Sequence, residues 1–318
     1  MNHYLSILLV CFLSLTVQAQ QAYFQQEVNT KIDVVLNDST HTLDGNIEIE
    51  YINNSPDSLR EIYMHLWANA YKDRTTAFAQ QKLRTRSTKF FFAEEKDLGN
   101  FSKLNFEVDG SSVEWKSYKG NLDIAVLELS KPLPPAGKIV IRTPFLLKIP
   151  ASFSRLGHVG ESYQLTQWFP KPAVYDREGW HPMPYLDMGE FYSEFGSYDV
   201  QINLPENYVV ASTGVLQTES EKAFLAEKVR ETDEILKDKL EGKSPFPPSS
   251  SKRKTIRYLA ENVHDFAWFA DKRFYVQKSR VLLKSGKEVD TWAFFTNEEG
   301  ELWKKGTFYV DRSVMYYS

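Results

Sequence analysis

Tyr163–Gly214 reads YQLTQWFPKPAVYDREGWHPMPYLDMGEFYSEFGSYDVQINLPENYVVASTG. Its last third decides the fold class. Tyr198, Val200, Ile202 and Leu204 alternate with Asp199, Gln201 and Asn203, the two-residue period of a strand with one buried face. Pro205-Glu206-Asn207 reads as a turn, and Tyr208–Ser212 is expected to return as the second strand of a hairpin. Ahead of it lies a segment dense in aromatics and prolines. Two readings stay open for those aromatics. They fill the seam between two sheets, or they form a stiff surface on which a partner or substrate lies.

The same period recurs upstream. Ile47, Ile49 and Tyr51 share one face of a strand over Thr42–Asn53, and Ile62–Leu66 is the next. His65, set among Met64, Leu66 and Trp67, is expected as a hydrogen-bonded histidine in a packed strand, because no second ligand sits at metal-site spacing. Ala68–Glu95 is polar and irregular, a solvated loop or short helix. Leu104, Phe106 and Val108 alternate before Asp109-Gly110, a hairpin signal, with Val113–Tyr118 returning. Leu122–Leu129, the stiff turn Pro132–Gly137 and Ile139–Ile141 continue the series. Short strands at regular spacing with turn signals between them indicate a mainly β, saddle- or sandwich-like body.

The pattern changes at Glu219. Phe224, Leu225, Val229, Leu236 and Leu240 fall on one helical face, so Glu219–Glu241 reads as an amphipathic helix. Gly242–Ser251 (GKSPFPPSSS) reads as a linker. Together they look like a helical excursion, about 219–252, from the β body. Thr255–Val276 returns to aromatic β character, and Ser279–Phe295 reads as two strands around Lys284–Lys287. Thr296 and Glu299 have capping-box spacing, so a helix is expected to start there. Leu302, Tyr309, Val310, Val314 and Tyr317 can share its face, with no stop signal before Ser318.

The chain has 318 residues, 42% of them hydrophobic, and a formal charge of −4. That balance argues against a nucleic-acid surface, which concentrates positive charge to neutralise phosphates. Leu5–Val17 is apolar but too short to span a bilayer. With Val17-Gln18-Ala19 after it, the start reads as a secretory signal peptide cut after Ala19. Secretion or a periplasmic location follows, with no membrane span after cleavage. The single cysteine, Cys11, lies inside that run. A mature chain from Gln20 then holds together without disulfides and has no thiol chemistry.

No HExxH, GxSxG, P-loop or GxGxxG motif is present. His181, Asp187, Glu190 and Glu194 are a candidate carboxylate–histidine cluster for a metal. Glu190 and Glu194 share a face only on a helix, and Gly189 and Gly196 argue against one.

Three segments carry a resemblance: Leu165–Trp180 (LTQWFPKPAVYDREGW), Glu190–Gly214 (EFYSEFGSYDVQINLPENYVVASTG) and Glu261–Asp271 (ENVHDFAWFAD). They resemble the aminopeptidase N family of zinc metallopeptidases, in its secreted, cysteine-poor bacterial branch. The likeness spans nearly the whole mature chain. It implies a saddle-shaped N-terminal β domain over residues 20–276 and the start of a thermolysin-like catalytic domain over 277–318. It implies peptide substrates, and zinc held by an HExxH motif and a downstream Glu that would lie beyond Ser318. These residues alone would bind no zinc and be inactive, their partner being the rest of the catalytic domain. Thr166-Gln167 matches a family pair that places Gln167 near the substrate's first residue. Trp168-Phe169-Pro170 departs from the pattern, which has a second polar residue two positions on. The alternative from a different class is a non-enzymatic β-sandwich module that binds peptide or glycan on an aromatic platform.

Overall fold

The computed structural model describes residues 23–238, 240 and 242–318. The signal-peptide reading, Leu5–Ala19 with Cys11, lies outside the described residues. The chain is mainly β. A nine-stranded sheet forms the frame. Its strands run in the spatial order Val215–Leu216, Arg253–Val263, Gly196–Pro205, Glu27–Asn37, Thr42–Ile52, Lys138–Lys148, Glu107–Val108 and Ser111–Ser112, and Asn100–Ser102 also joins Lys138–Lys148. Glu27–Asn37 and Gly196–Pro205 run parallel, with Ile32 opposite Val200. The buried faces expected of Thr42–Ile52 and Gly196–Pro205 are observed: Ile47, Ile49, Tyr51, Tyr198, Val200, Ile202 and Leu204 all turn into the core.

Two four-stranded sheets lie on that inner face and share its core. One pairs Gly157–Val159, Ser162–Leu165, Trp268–Asp271 and Val209–Ser212. The other pairs Lys171–Pro172, Leu59–His65, Asn121–Leu133 and Trp115–Tyr118. Phe145 of the large sheet meets Trp168 edge-on at 6.3 Å, and Trp168 meets Trp268 at 6.0 Å. Trp168, Phe169, Tyr185, Tyr198 and Tyr208 are all buried. The aromatics of the opening stretch therefore fill the seam between layers, each contributing about 2–3 kcal/mol by leaving water.

The expected hairpin over Tyr198–Ser212 does not form. Pro205 to Tyr208 does close a turn, with the Tyr208 amide donating to the Pro205 carbonyl at 3.2 Å. Val209–Ser212 then leaves the large sheet and pairs with Trp268–Asp271. Gly196–Pro205 takes Arg253–Val263 as its antiparallel neighbour. Tyr208, Val209 and Val210 are all buried, so the returning segment is a core strand between layers. The Asp109-Gly110 hairpin forms over Glu107–Ser112 only, with both turn residues at positive φ. Trp115–Tyr118 then crosses to pair with Asn121–Leu133. Residues 68–95 are less solvated than their polarity suggested. They include a helix, Ala77–Arg84, and bury Tyr71, Phe78 and Phe90.

One glycine is forced by close approach. A Cβ on Gly196 would stand 1.8 Å from the Val28 carbonyl oxygen, at the mouth of the parallel pair. Gly196→Ala is expected to push the two strands apart and destabilise by about 3 kcal/mol, read as a lower urea midpoint. An unchanged midpoint would show that the junction yields freely.

The helix at Glu219–Ile235 ends earlier than its apolar pattern suggested. It is no mere excursion. Leu225, Phe224 and Val229 join Val209, Val276, Trp292 and Phe294 in a second small core. That core glues the antiparallel ribbon Tyr275–Leu282/Glu288–Phe295 to the body. Position 276 lies at the start of this ribbon. On the ribbon's other face, the Ser279 and Thr291 hydroxyls both bond to Asp311 of the helix Gly306–Tyr317. The stretch after residue 242 is held rather than free. Phe246 lies under the Arg273 guanidinium at 3.6 Å, and Asn207 bonds to the Pro248 carbonyl and the Ser250 amide.

The single helix expected from Thr296 is instead a 3-10 turn at Asn297–Glu299, a short turn of helix at Gly300–Trp303, and Gly306–Tyr317. Thr296 makes no side-chain capping bond. A Cβ on Gly306 would meet that of Ala293 at 2.8 Å, so the last helix docks through its glycine and Asp311. Of the expected apolar face, Leu302, Tyr309 and Tyr317 are left exposed and Val310 and Val314 are half-buried. Among the described residues no helix is long and apolar enough to cross a membrane.

Candidate functional site

Gln167 sits where the chain must turn hard. Leu165 is paired with Trp268 in a sheet, and Trp168 is driven into the core with its indole N–H on the Phe266 carbonyl at 3.0 Å. Gln167 makes that turn at φ +50°, which costs a non-glycine residue about 1 kcal/mol. Its amide nitrogen donates to Asp265 Oδ2 at 3.2 Å. The amide cannot be turned over, because its oxygen would then face the carboxylate. In this orientation Gln167 Oε1 is buried with no hydrogen-bond donor among the described residues.

Asp265 ties Gln167 to a buried cation. Its Oδ1 takes the Phe266 amide at 2.8 Å and Lys171 Nζ at 3.1 Å. Lys171 pairs with His65 in its sheet and its side chain is 5% exposed. Its ammonium also donates to Ser193 Oγ at 3.1 Å and the His264 carbonyl at 3.0 Å, so all three protons are placed. Trp67 and Phe169 stand at 5.7 and 5.5 Å from the charge. Burial pulls the Lys171 pKa down, and the Asp265 carboxylate opposes the shift.

His65 lies beside this cluster and behaves as its sequence setting indicated. It stacks on Trp67 at 4.3 Å, and its Nε2 accepts from the Met183 amide at 3.2 Å. Burial, reinforced by the Lys171 charge, pushes its pKa down to about 3, so the ring is neutral.

His181, Asp187, Glu190 and Glu194 do not converge. No helix forms between them. His181 pairs with Asp176 at 2.7 Å, and Asp187 pairs with Lys82 at 3.0 Å. Glu190 is exposed. Glu194 is buried with no paired cation among the described residues, accepting the Tyr175 amide at 3.2 Å, and burial lifts its pKa to about 7. Lys171 and Asp265 were not singled out from the sequence. A signal was present for Lys171: it is the one charge in Trp168–Val174, an otherwise apolar, proline-flanked run.

No protein-family model matches the chain, and no curated protein matches it. Solved structures do. An M1 zinc metallopeptidase mutant from Deinococcus radiodurans, bound to a Tyr-Ser-Ala substrate, shares 11% identity at a TM-score of 0.47, over 86% of this chain and 48% of that one. The M1 zinc metallopeptidase of the same organism shares 12% identity at a TM-score of 0.45, over 87% and 48%. A two-domain M1 zinc metallopeptidase mutant bound to L-arginine shares 10% at 0.45, over 86% and 48%. The chain spans about half the length of the structures it matches.

Chemically, the cluster is a buried polar network: Lys171 and Asp265 neutralise one another, and the Gln167 carbonyl oxygen is buried with no donor among the described residues. An amide neither activates water nor binds a metal tightly. Among the described residues no three His, Cys, Asp or Glu side chains are placed to hold a metal ion. The described residues therefore do not fit zinc, and no step through it is derived from them.

Proposed function

We propose that these residues are the N-terminal β portion of a secreted or periplasmic zinc peptidase of the aminopeptidase N type. In this reading residues 20–276 form the N-terminal domain, residues 277–318 open the catalytic domain, and zinc is held by sequence outside this chain. A zinc ion in such a site supplies an activated water. This chain contributes orientation: Gln167 takes the place that the resemblance puts near the substrate's first residue. The observation that carries the reading is the resemblance of Leu165–Trp180, Glu190–Gly214 and Glu261–Asp271 to that family. Of the aromatics an aromatic-platform module would use, Trp168, Phe169, Tyr185 and Tyr208 are buried, and Tyr192 and Phe195 are exposed.

The test uses the complete gene product and aminoacyl anilide substrates. Turnover abolished by a chelator is expected, and Gln167→Ala should raise KM about tenfold, the worth of one hydrogen bond to a charged group. Activity indifferent to chelation, or none in the complete product, sinks the peptidase reading. An unchanged KM removes Gln167 from substrate binding.

A further inference from the structure

The lobe between residues 72 and 96 is charged against the trend of the chain. It carries seven cations and three carboxylates, in a chain of net charge −4. Its build explains what the excess is for. Phe90 is buried, packed edge-on against Phe78 at 5.1 Å and Phe153 at 5.0 Å. That anchor and two turn bonds, Phe92 N–H to the Thr88 carbonyl and Ala93 N–H to the Phe90 carbonyl, fix the loop that follows. The loop turns Phe92 into solvent, 74% exposed, with Phe91 half-way out beside it. The same lobe carries Lys72, Arg74, Arg84, Arg86 and Lys89, all exposed. None of the five has a carboxylate within ion-pairing distance among the described residues. Arg74 instead lies against the Phe91 ring at 5.2 Å and donates to the Phe91 carbonyl, and Lys89 donates to the Ser152 carbonyl. The carboxylates of the lobe are partly engaged elsewhere: Asp73 accepts from Thr75, Glu94 pairs with Lys96, and Glu95 is exposed.

We propose that this lobe docks the protein on an anionic lipid bilayer, with Phe92 and Phe91 entering the interface and the lobe's cations on lipid headgroups. Aromatic side chains held out of a rigid loop gain by entering the headgroup–acyl boundary, and each nearby cation adds attraction to an anionic surface. A nucleic acid fits less well. Phe91 and Phe92 meet edge-to-face at 87°, whereas base stacking wants an open, parallel platform. Hydrocarbon has no such requirement. The inference stands apart from the peptidase reading and holds whether or not that reading survives.

The test is co-sedimentation of the full chain with large vesicles, of phosphatidylcholine alone or with 30 mol% phosphatidylglycerol. Binding is expected to rise several-fold with the anionic lipid and to fall at high salt. Arg84→Ser with Arg86→Ser should each cost about fivefold, and Phe92→Ser a further severalfold. The apolar Leu5–Val17 run is common to every variant, so the difference between variants isolates the lobe. All of these side chains are exposed, and circular dichroism checks the fold. Phe92→Trp gives a second readout, with its added emission expected to move to the blue on anionic vesicles. Equal binding to both vesicle types, no effect of the arginine and Phe92 changes, or complete competition by single-stranded DNA would overturn the proposal.

Discussion

Lys171→Met is expected to unfold at a distinctly lower urea concentration, with a loss of about 3 kcal/mol. The ammonium it removes neutralises Asp265 inside the core and satisfies Ser193 and the His264 carbonyl. Asp265 would keep the Phe266 amide and the Gln167 amide but no counter-charge. The loss belongs at the low end for a broken buried pair, because the Asp265 side chain is 18% exposed and water can reach it. Met preserves the volume of the stem between Trp67 and Phe169, so the change reads charge rather than packing. The double variant Lys171→Met with Asp265→Asn should recover most of the loss, since removing both charges leaves neither stranded. A single variant within 0.5 kcal/mol of the wild type, or a double variant no better than the single, would mean that the pair is not what holds this seam.

The strands and their buried faces were legible in the sequence because strand period is a local property. Ile47, Ile49 and Tyr51 needed no partner to declare their side. Pairing is not local. Ile32 lies beside Val200, and no pattern near either residue announces the other. Val209–Ser212 had the composition of a returning strand and returned to a different sheet, because a strand buried between layers looks the same whichever neighbour it takes. The candidate site divides in the same way. Gln167 came from a family resemblance, but the residue that orients it, Asp265, is 98 positions away. Glu194 was grouped with His181 by proximity in the chain alone, and without a helix between them proximity places nothing. The structure gives it a different significance, as a buried carboxylate with no paired cation among the described residues.

Glu194→Gln is expected to stabilise the protein at alkaline pH and to do little in acid. The folded-state pKa of Glu194 is raised to about 7 from an ordinary 4.5, chiefly by burial, with the Asp176 charge adding to it. A carboxyl group with a raised folded pKa binds more protons folded than unfolded between those two values. Its contribution to stability therefore falls as pH rises through that window, by at most about 3 kcal/mol once both states are ionised. Gln keeps an acceptor for the Tyr175 amide but brings an N–H₂ that must find a partner, so the gain at pH 8 should be nearer 2 kcal/mol. Other groups titrate across the same range with mixed signs. Burial also raises Asp123, to about 6, while it lowers His41 and His158. The diagnostic is accordingly the difference between variant and wild type, followed by urea midpoints from pH 4.5 to 8.5. That difference should be near zero at the acid end and open steadily above pH 5. Parallel curves would mean that Glu194 ionises in the folded protein as it does in water, which its burial beside the unpartnered Tyr51 hydroxyl argues against.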